Sequence, residues 1–201
     1  PGVYEVDGST LITVTCTGDF TIGGDNYHNK SKFFYKRLKE HNNDINFVMA
    51  NTRDIFASDD LTLVNFEGTL TETKYVPDKK KKNKFLFNIA PEYVTVLSDN
   101  SVEAVSLENN HVMDHGDEAY EETKETLRSA GIVYSNSEEI GVYDVSGIQI
   151  AMLSYLCIDR YDKAVGQYAN LYEKVAADIA AVKKQYPIVI VSFHWGNELD
   201  Y

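Results

Sequence analysis

Apolar, strand-like runs alternate with helical periodicity along this chain, and four of the runs end in polar clusters of one kind. Residues 11–17 (LITVTCT) lead into Gly18-Asp19. Residues 61–64 lead into Asn65-Phe66-Glu67-Gly68, and residues 102–107 into Glu108-Asn109-Asn110-His111. Residues 188–193 lead into His194-Trp195-Gly196. Alternating strand and helix folds as an α/β sheet with helices on its faces. Such sheets bind ligands beyond the carboxyl ends of their strands. Asp, Glu, Asn and His there are the oxygen and imidazole donors that metal-assisted hydrolysis uses.

The run at 11–17 reads as a buried strand, rich in β-branched residues and closed by glycine. Residues 31–40 pattern as an amphipathic helix and 46–55 as a second one. Residues 61–65 form the next strand. Residues 71–83 are an excursion holding Pro77 and four consecutive lysines, 79–82, with a short strand at 85–87 on its far side. Pro91 opens a helix, where its missing donor costs nothing, and 102–107 return as strand. Residues 117–130 form the clearest helix of the first half, closed by Gly131. Ser146-Gly147 between 141–145 and 148–153 is a two-residue hairpin signal. Helix 172–185 stops at Pro187, and 188–193 is apolar throughout, as expected of a doubly covered parallel strand.

The 201 residues read as a single domain, long enough to bury a useful core. A net charge of −12 excludes general nucleic-acid binding, which needs a basic footprint. The lysine run is a solvated loop tip or a contact for a polyanion. Cys16 and Cys157 lack a CxxC pattern and are expected as small buried hydrophobes, with their pairing open. No run of about 18 apolar residues is present to span a membrane. The chain opens on Pro1-Gly2 with no Met, so an upstream signal or anchor is an expectation.

Each cluster has two readings. Asp19, after a glycine turn, is a metal ligand or an Asx-turn and helix cap. Asn65 and Glu67 flank Phe66, so they share one face while Phe66 points into core. Glu67 is then a ligand or base, or a solvated carboxylate. Asn109, Asn110 and His111 are poor strand formers and costly to bury unpaired, and Asp114 is spaced to orient His111. The alternative is a capping loop with Asp114 or Asp117 as N-cap. His194 is a ligand or a core-edge histidine beside Trp195, with Glu198 a further candidate. His28 and His41 read as surface residues, and His115 has no comparable context.

As a set, GDF at 18–20, NFEGTLT at 65–71, ENNHVMDHG at 108–116 and HWGNE at 194–198 resemble the CapA family of bacterial capsule-synthesis proteins linked to poly-γ-glutamate. The resemblance spans residues 11–201 and includes the Thr-x-x-x-Leu pattern at Thr123 and Leu127. It implies a calcineurin-like metallophosphoesterase-type αββα sandwich, with metals held at strand ends. It implies that Asp19, Glu67, Asn110 and His194 occupy metal-ligand positions for divalent ions, with Mn, Fe, Zn or Mg all compatible. His111 falls at the proton donor's place with Asp114 behind it. The implied partners are poly-γ-glutamate or another anionic polymer, and membrane proteins of capsule synthesis and export. The implied location is extracytoplasmic, at the cell surface or on an N-terminal membrane anchor.

Two departures stand out. The phosphoesterase motif Asp-x-His is here Asp19-Phe20-Thr21. The later histidine motif would lie past Tyr201, so the sandwich is expected to lack its C-terminal part. Three functions follow: a metal-dependent phosphoesterase-like hydrolase, a non-catalytic polyglutamate-binding assembly or export component, and an unrelated α/β domain whose polar strand ends are only caps. If Asp19, Asn110 and His194 lie more than about 10 Å apart, no shared site exists and the third reading gains.

Overall fold

The computed structural model describes residues 4–6, 9–25, 31–73, 85–158 and 171–196. The first elements are strands β1 (Tyr4–Val6), β2 (Ser9–Leu11), β3 (Val14–Phe20) and β4 (Gly24–Asp25), then helix α1 (Ser31–Glu40). A 3-10 turn (Ile45–Met49) precedes α2 (Arg53–Phe56), β5 (Leu61–Phe66), β6 (Thr69–Leu70) and β7 (Phe87–Ile89). A second 3-10 turn (Pro91–Val94) runs into α3 (Thr95–Ser98), β8 (Ala104–Ser106), α4 (Asp117–Ser129) and β9 (Val133–Ser135). Then come β10 (Gly141–Val145), β11 (Ile148–Cys157), α5 (Leu171–Val182) and β12 (Ile188–Trp195).

Two main sheets result. One is parallel throughout, in the order β3-β5-β8-β9. The other has the order β10-β11-β12. Its β10–β11 hairpin turns at Ser146-Gly147, both at positive φ (53° and 88°), as a type I′ turn demands. β11 and β12 run parallel, from Ile150 opposite Ile188 to Cys157 opposite Trp195. β1 and β2 make a separate two-stranded ribbon, and β4-β7-β6 a small third sheet.

Side-chain alternation stacks these parts into four layers. Val64 and Phe66 of β5 turn outward onto Leu38, Phe56, Val96, Leu97 and Leu127 of the first helices. Leu61 and Leu63 turn the other way, onto Val145, Ile150 and Met152 of the second sheet. Ala151, Leu153 and Tyr155 face α5 through Val175, Ile179 and Val182. The order is helices, sheet, sheet, helix. Burial of each large apolar side chain contributes about 1.5–3 kcal/mol, and Phe66, Leu61 and Met152 are nearly inaccessible.

The layering also positions polar residues. Asn65 continues the row Leu61-Leu63, and His194 continues the row Ile188-Ile190. Both rows face the layer between the sheets, so both side chains emerge at its carboxyl end.

Several expectations are corrected. The strand expected at 11–17 is split, and β3 is largely exposed because it is a sheet edge, paired only with β5 among the described residues. Cys16 is accordingly exposed and Cys157 half-buried, and both are free thiols. The helix expected at 46–55 is a 3-10 turn followed by a single α-turn. Asp44 starts that 3-10 turn by accepting the Asn46 N–H. Strand β12 runs on to Trp195, so His194 lies within it. Among the described residues β12 pairs only with β11 and is half-buried, not doubly covered. Neither Asp114 nor Asp117 caps α4, whose N-cap is Gly116 at φ 84°. The lysine run 79–82, His28 and Glu198 lie outside the described residues.

Candidate functional site

A bulge begins the site. The register of β3 against β5 shifts between Cys16 and Asp19, so that Asp19 falls opposite Asn65. The buried Asn65 then joins the segments. Its Nδ2 donates to Asp19 Oδ1 at 2.7 Å and lies 3.1 Å from His194 Nδ1. Its Oδ1 accepts from Asn109 Nδ2 at 2.9 Å. Asn109, also buried, donates to the Phe66 carbonyl at 2.8 Å and accepts the His111 backbone N–H at 3.0 Å. Next in sequence, Asn110 places its Oδ1 2.9 Å from His194 Nε2.

The third cluster adds a histidine–carboxylate pair. His111 donates from Nδ1 to Asp114 Oδ2 at 2.8 Å, and the same oxygen accepts the Phe87 N–H at 2.8 Å. The Phe87 ring lies 4.5 Å from the imidazole, centroid to centroid. His111 Nε2 faces Glu67 Oε1 at 3.5 Å. Glu67 is anchored by its backbone N–H to the Phe20 carbonyl, and Thr21 donates to Oε2 at 3.4 Å.

Burial, with the Asp19 carboxylate second, pushes the Glu67 carboxyl up to about 7, although His111 and Thr21 oppose the shift. Burial also lowers His194, and Asp19 works against that change. His115, which lacked context in the sequence, is buried with Nδ1 3.2 Å from Thr69 Oγ1, and burial lowers it too.

Six of the sequence candidates, Asp19, Glu67, Asn110, His111, Asp114 and His194, therefore meet in one contact network. Asp114 orients His111 as its spacing suggested. One expectation fails: the clusters do not share a single sheet. His194 comes from the second sheet and reaches across the interlayer. Sequence reasoning underrated Asn65 and Asn109. The signal available was two amides at strand ends, on the same sides as the flagged residues. Phe87 was read only as strand.

The donor set fits a divalent cation in kind. Two carboxylates, an amide carbonyl and an imidazole suit a hard or borderline ion. Burial raises the Glu67 carboxyl and the Asp19 carboxylate adds to the shift, and a cation beside Glu67 would oppose both by favouring its charged form. The fit depends on the amide oxygen of Asn110. Among the described residues no three His, Cys, Asp or Glu side chains group as a metal site by themselves.

Comparison with known proteins places the chain. The family model of the bacterial capsule synthesis protein PGA_cap matches residues 13–201. The chain is similar to the PGA biosynthesis protein CapA of Bacillus subtilis (strain 168), with 31% identity over 161 residues, 73% of this chain and 41% of that protein. The chain thus spans about two fifths of that relative's length. A solved structure of a hypothetical protein from Thermus thermophilus overlaps 92% of this chain and 58% of its own, with 15% identity and a TM-score of 0.49. The four-layer α/β arrangement with its parallel sheet is the calcineurin-like fold of the matched family. The chain belongs to the PGA_cap family of bacterial capsule synthesis proteins.

Proposed function

We propose that this chain carries the metal-dependent, metallophosphoesterase-like hydrolytic site of a poly-γ-glutamate capsule biosynthesis protein. The observation that carries the reading is the convergence of Asp19, Glu67, Asn110, His111 and His194 from four chain segments and two sheets. In this reading Asp19, Glu67, Asn110 and His194 hold one or more divalent ions, of which Mn, Fe, Zn and Mg all suit the donors. A bound ion supplies Lewis-acid polarisation of an ester oxygen and a more acidic water. Asp114 holds the proton of His111 on Nδ1, which leaves Nε2 to carry the proton that the leaving group takes. Phe87 packs on that imidazole and limits water on one side.

A second reading is a non-catalytic component that binds poly-γ-glutamate, or another anionic polymer, during assembly or export with membrane proteins of the capsule machinery. It is favoured by Thr21, which stands where the phosphoesterase motif has a histidine and is instead bonded to Glu67. Both readings put the site outside the cytoplasm, at the cell surface or on an anchored chain.

The test is hydrolysis of bis(p-nitrophenyl) phosphate by the intact protein with Mn²⁺, alongside His111→Ala and Asp19→Ala. A fall of about 10²-fold or more in His111→Ala is expected for loss of a general acid. Activity that survives both substitutions overturns the hydrolase reading. No turnover, together with retention of poly-γ-glutamate in a pull-down, favours the second reading.

A further inference from the structure

We propose that in the metal-free protein Asn109 and Asn65 form an amide relay that fixes His194 as its Nε2–H tautomer, with the Nδ1 lone pair held by the Asn65 amide. The chain of inference starts at a group that can only donate. The His111 backbone N–H points at Asn109 at 3.0 Å, so the atom it meets is the amide oxygen. The other end of the Asn109 amide is then NH₂, and it meets the Phe66 carbonyl at 2.8 Å, which can only accept. Backbone groups at both ends therefore settle the orientation of Asn109, with no choice left to its side chain.

The same NH₂ reaches Asn65 at 2.9 Å, so the atom there is Oδ1. Asn65 must then present its NH₂ to Asp19 Oδ1 at 2.7 Å and to His194 Nδ1 at 3.1 Å. A nitrogen that receives an N–H carries no proton of its own, so in the neutral ring the proton sits on Nε2. Nε2 in turn lies 2.9 Å from Asn110 Oδ1, an acceptor. Every donor in the series meets an acceptor, and the reverse assignment of any one amide sets two donors or two acceptors against each other. Asn109 and Asn65 are both buried, which raises the cost of such a mismatch.

Asn65 and Asn109 thus act through His194 as positioning residues. The imidazole donates its Nε2–H to Asn110 and accepts the Asn65 N–H on Nδ1, and Asp19 Oδ1 lies 3.6 Å from that nitrogen. The Nε2–H bond to Asn110 then orients the ring. The assignment involves no gain or loss of a proton. It stands apart from the hydrolase reading, because its test contains neither metal nor substrate.

The experiment is ¹⁵N–¹H multiple-bond NMR of the intact, ¹⁵N-histidine-labelled protein in EDTA at alkaline pH, with His194 signals assigned by their loss in His194→Gln. Wild type is expected to show a protonated Nε2 and an unprotonated Nδ1. In Asn65→Leu the donor is gone and Asp19 Oδ1 becomes the neighbour of Nδ1, so the Nδ1–H form is expected to become the majority. A wild-type spectrum dominated by Nδ1–H overturns the proposal, and it does so even if the variant fails to fold. A folded Asn65→Leu whose His194 keeps the wild-type pattern overturns the relay.

Discussion

Asp114 Oδ2 takes two hydrogen bonds of equal length, 2.8 Å from His111 Nδ1 and 2.8 Å from the Phe87 backbone N–H. One carboxylate oxygen thus ties the proposed acid to strand β7. Asp114→Ala leaves the half-buried Phe87 N–H without its partner, which costs about 1–3 kcal/mol. It also frees the His111 ring, for which a loss of about 10–100-fold in turnover is expected. Urea unfolding and phosphodiester hydrolysis, run on the same preparation, check the two halves separately.

Glu67 gives the site a pH signature in the metal-free protein. Its carboxyl, ordinarily near 4.5, is raised to about 7 by burial and then by Asp19, with His111 and Thr21 opposing. A carboxyl raised on folding binds its proton more tightly in the folded chain. Its stabilising contribution is complete below about pH 4.5 and is lost as the pH rises through about 7. His194, lowered mainly by burial, has the opposite slope, losing stability as the pH falls through the ordinary histidine range. The difference between Glu67→Gln and wild type removes the His194 part. In EDTA, the Tm of Glu67→Gln relative to wild type should rise between about pH 5 and about pH 8. A difference that stays flat contradicts the Glu67 shift.

Gly23 is required by its backbone. It sits at φ 90°, and an added Cβ would lie 2.3 Å from the Asn88 carbonyl oxygen and 2.9 Å from Ile89 Cβ. Because the obstacle is backbone of the adjoining strand β7, it has little room to give. Gly23→Ala should lower the thermal midpoint clearly. Gly147→Ala, at φ 88° but with open space around it, should cost only its backbone strain, about 1 kcal/mol. Differential scanning calorimetry of the pair separates collision from conformation.

Much of this was legible in the residues, for identifiable reasons. Period-two alternation put Asn65 and Glu67 on one face and Phe66 on the other, and Phe66 is indeed core. Ser146-Gly147 marked the hairpin, and Gly131 at φ 75° ended the helix that 117–130 announced. The four-layer order followed once the CapA-like motifs were seen together. Other features needed the structure. Alternation says which way His194 points within its strand, but not that the strand belongs to a second sheet. Edge and central parallel strands share a composition, so the exposure of Cys16 required knowing that β3 pairs on one side. The central position of Asn65 depends on Asp19, Asn109 and His194, which are up to 129 residues away. The β-bulge that brings Asp19 opposite it has no residue signature beyond Gly18.

In the reading proposed above, residues from four strand ends make one cation-binding site. Mn²⁺ titration of the intact, EDTA-stripped protein by isothermal calorimetry tests it most directly, beside the double variant Asp19→Asn/Glu67→Gln with its fold verified by circular dichroism. Saturable binding by wild type that weakens by at least about 10–100-fold in the double variant is the predicted result. Wild-type protein that takes up no Mn²⁺, or a double variant that binds it as tightly as wild type, would contradict the account.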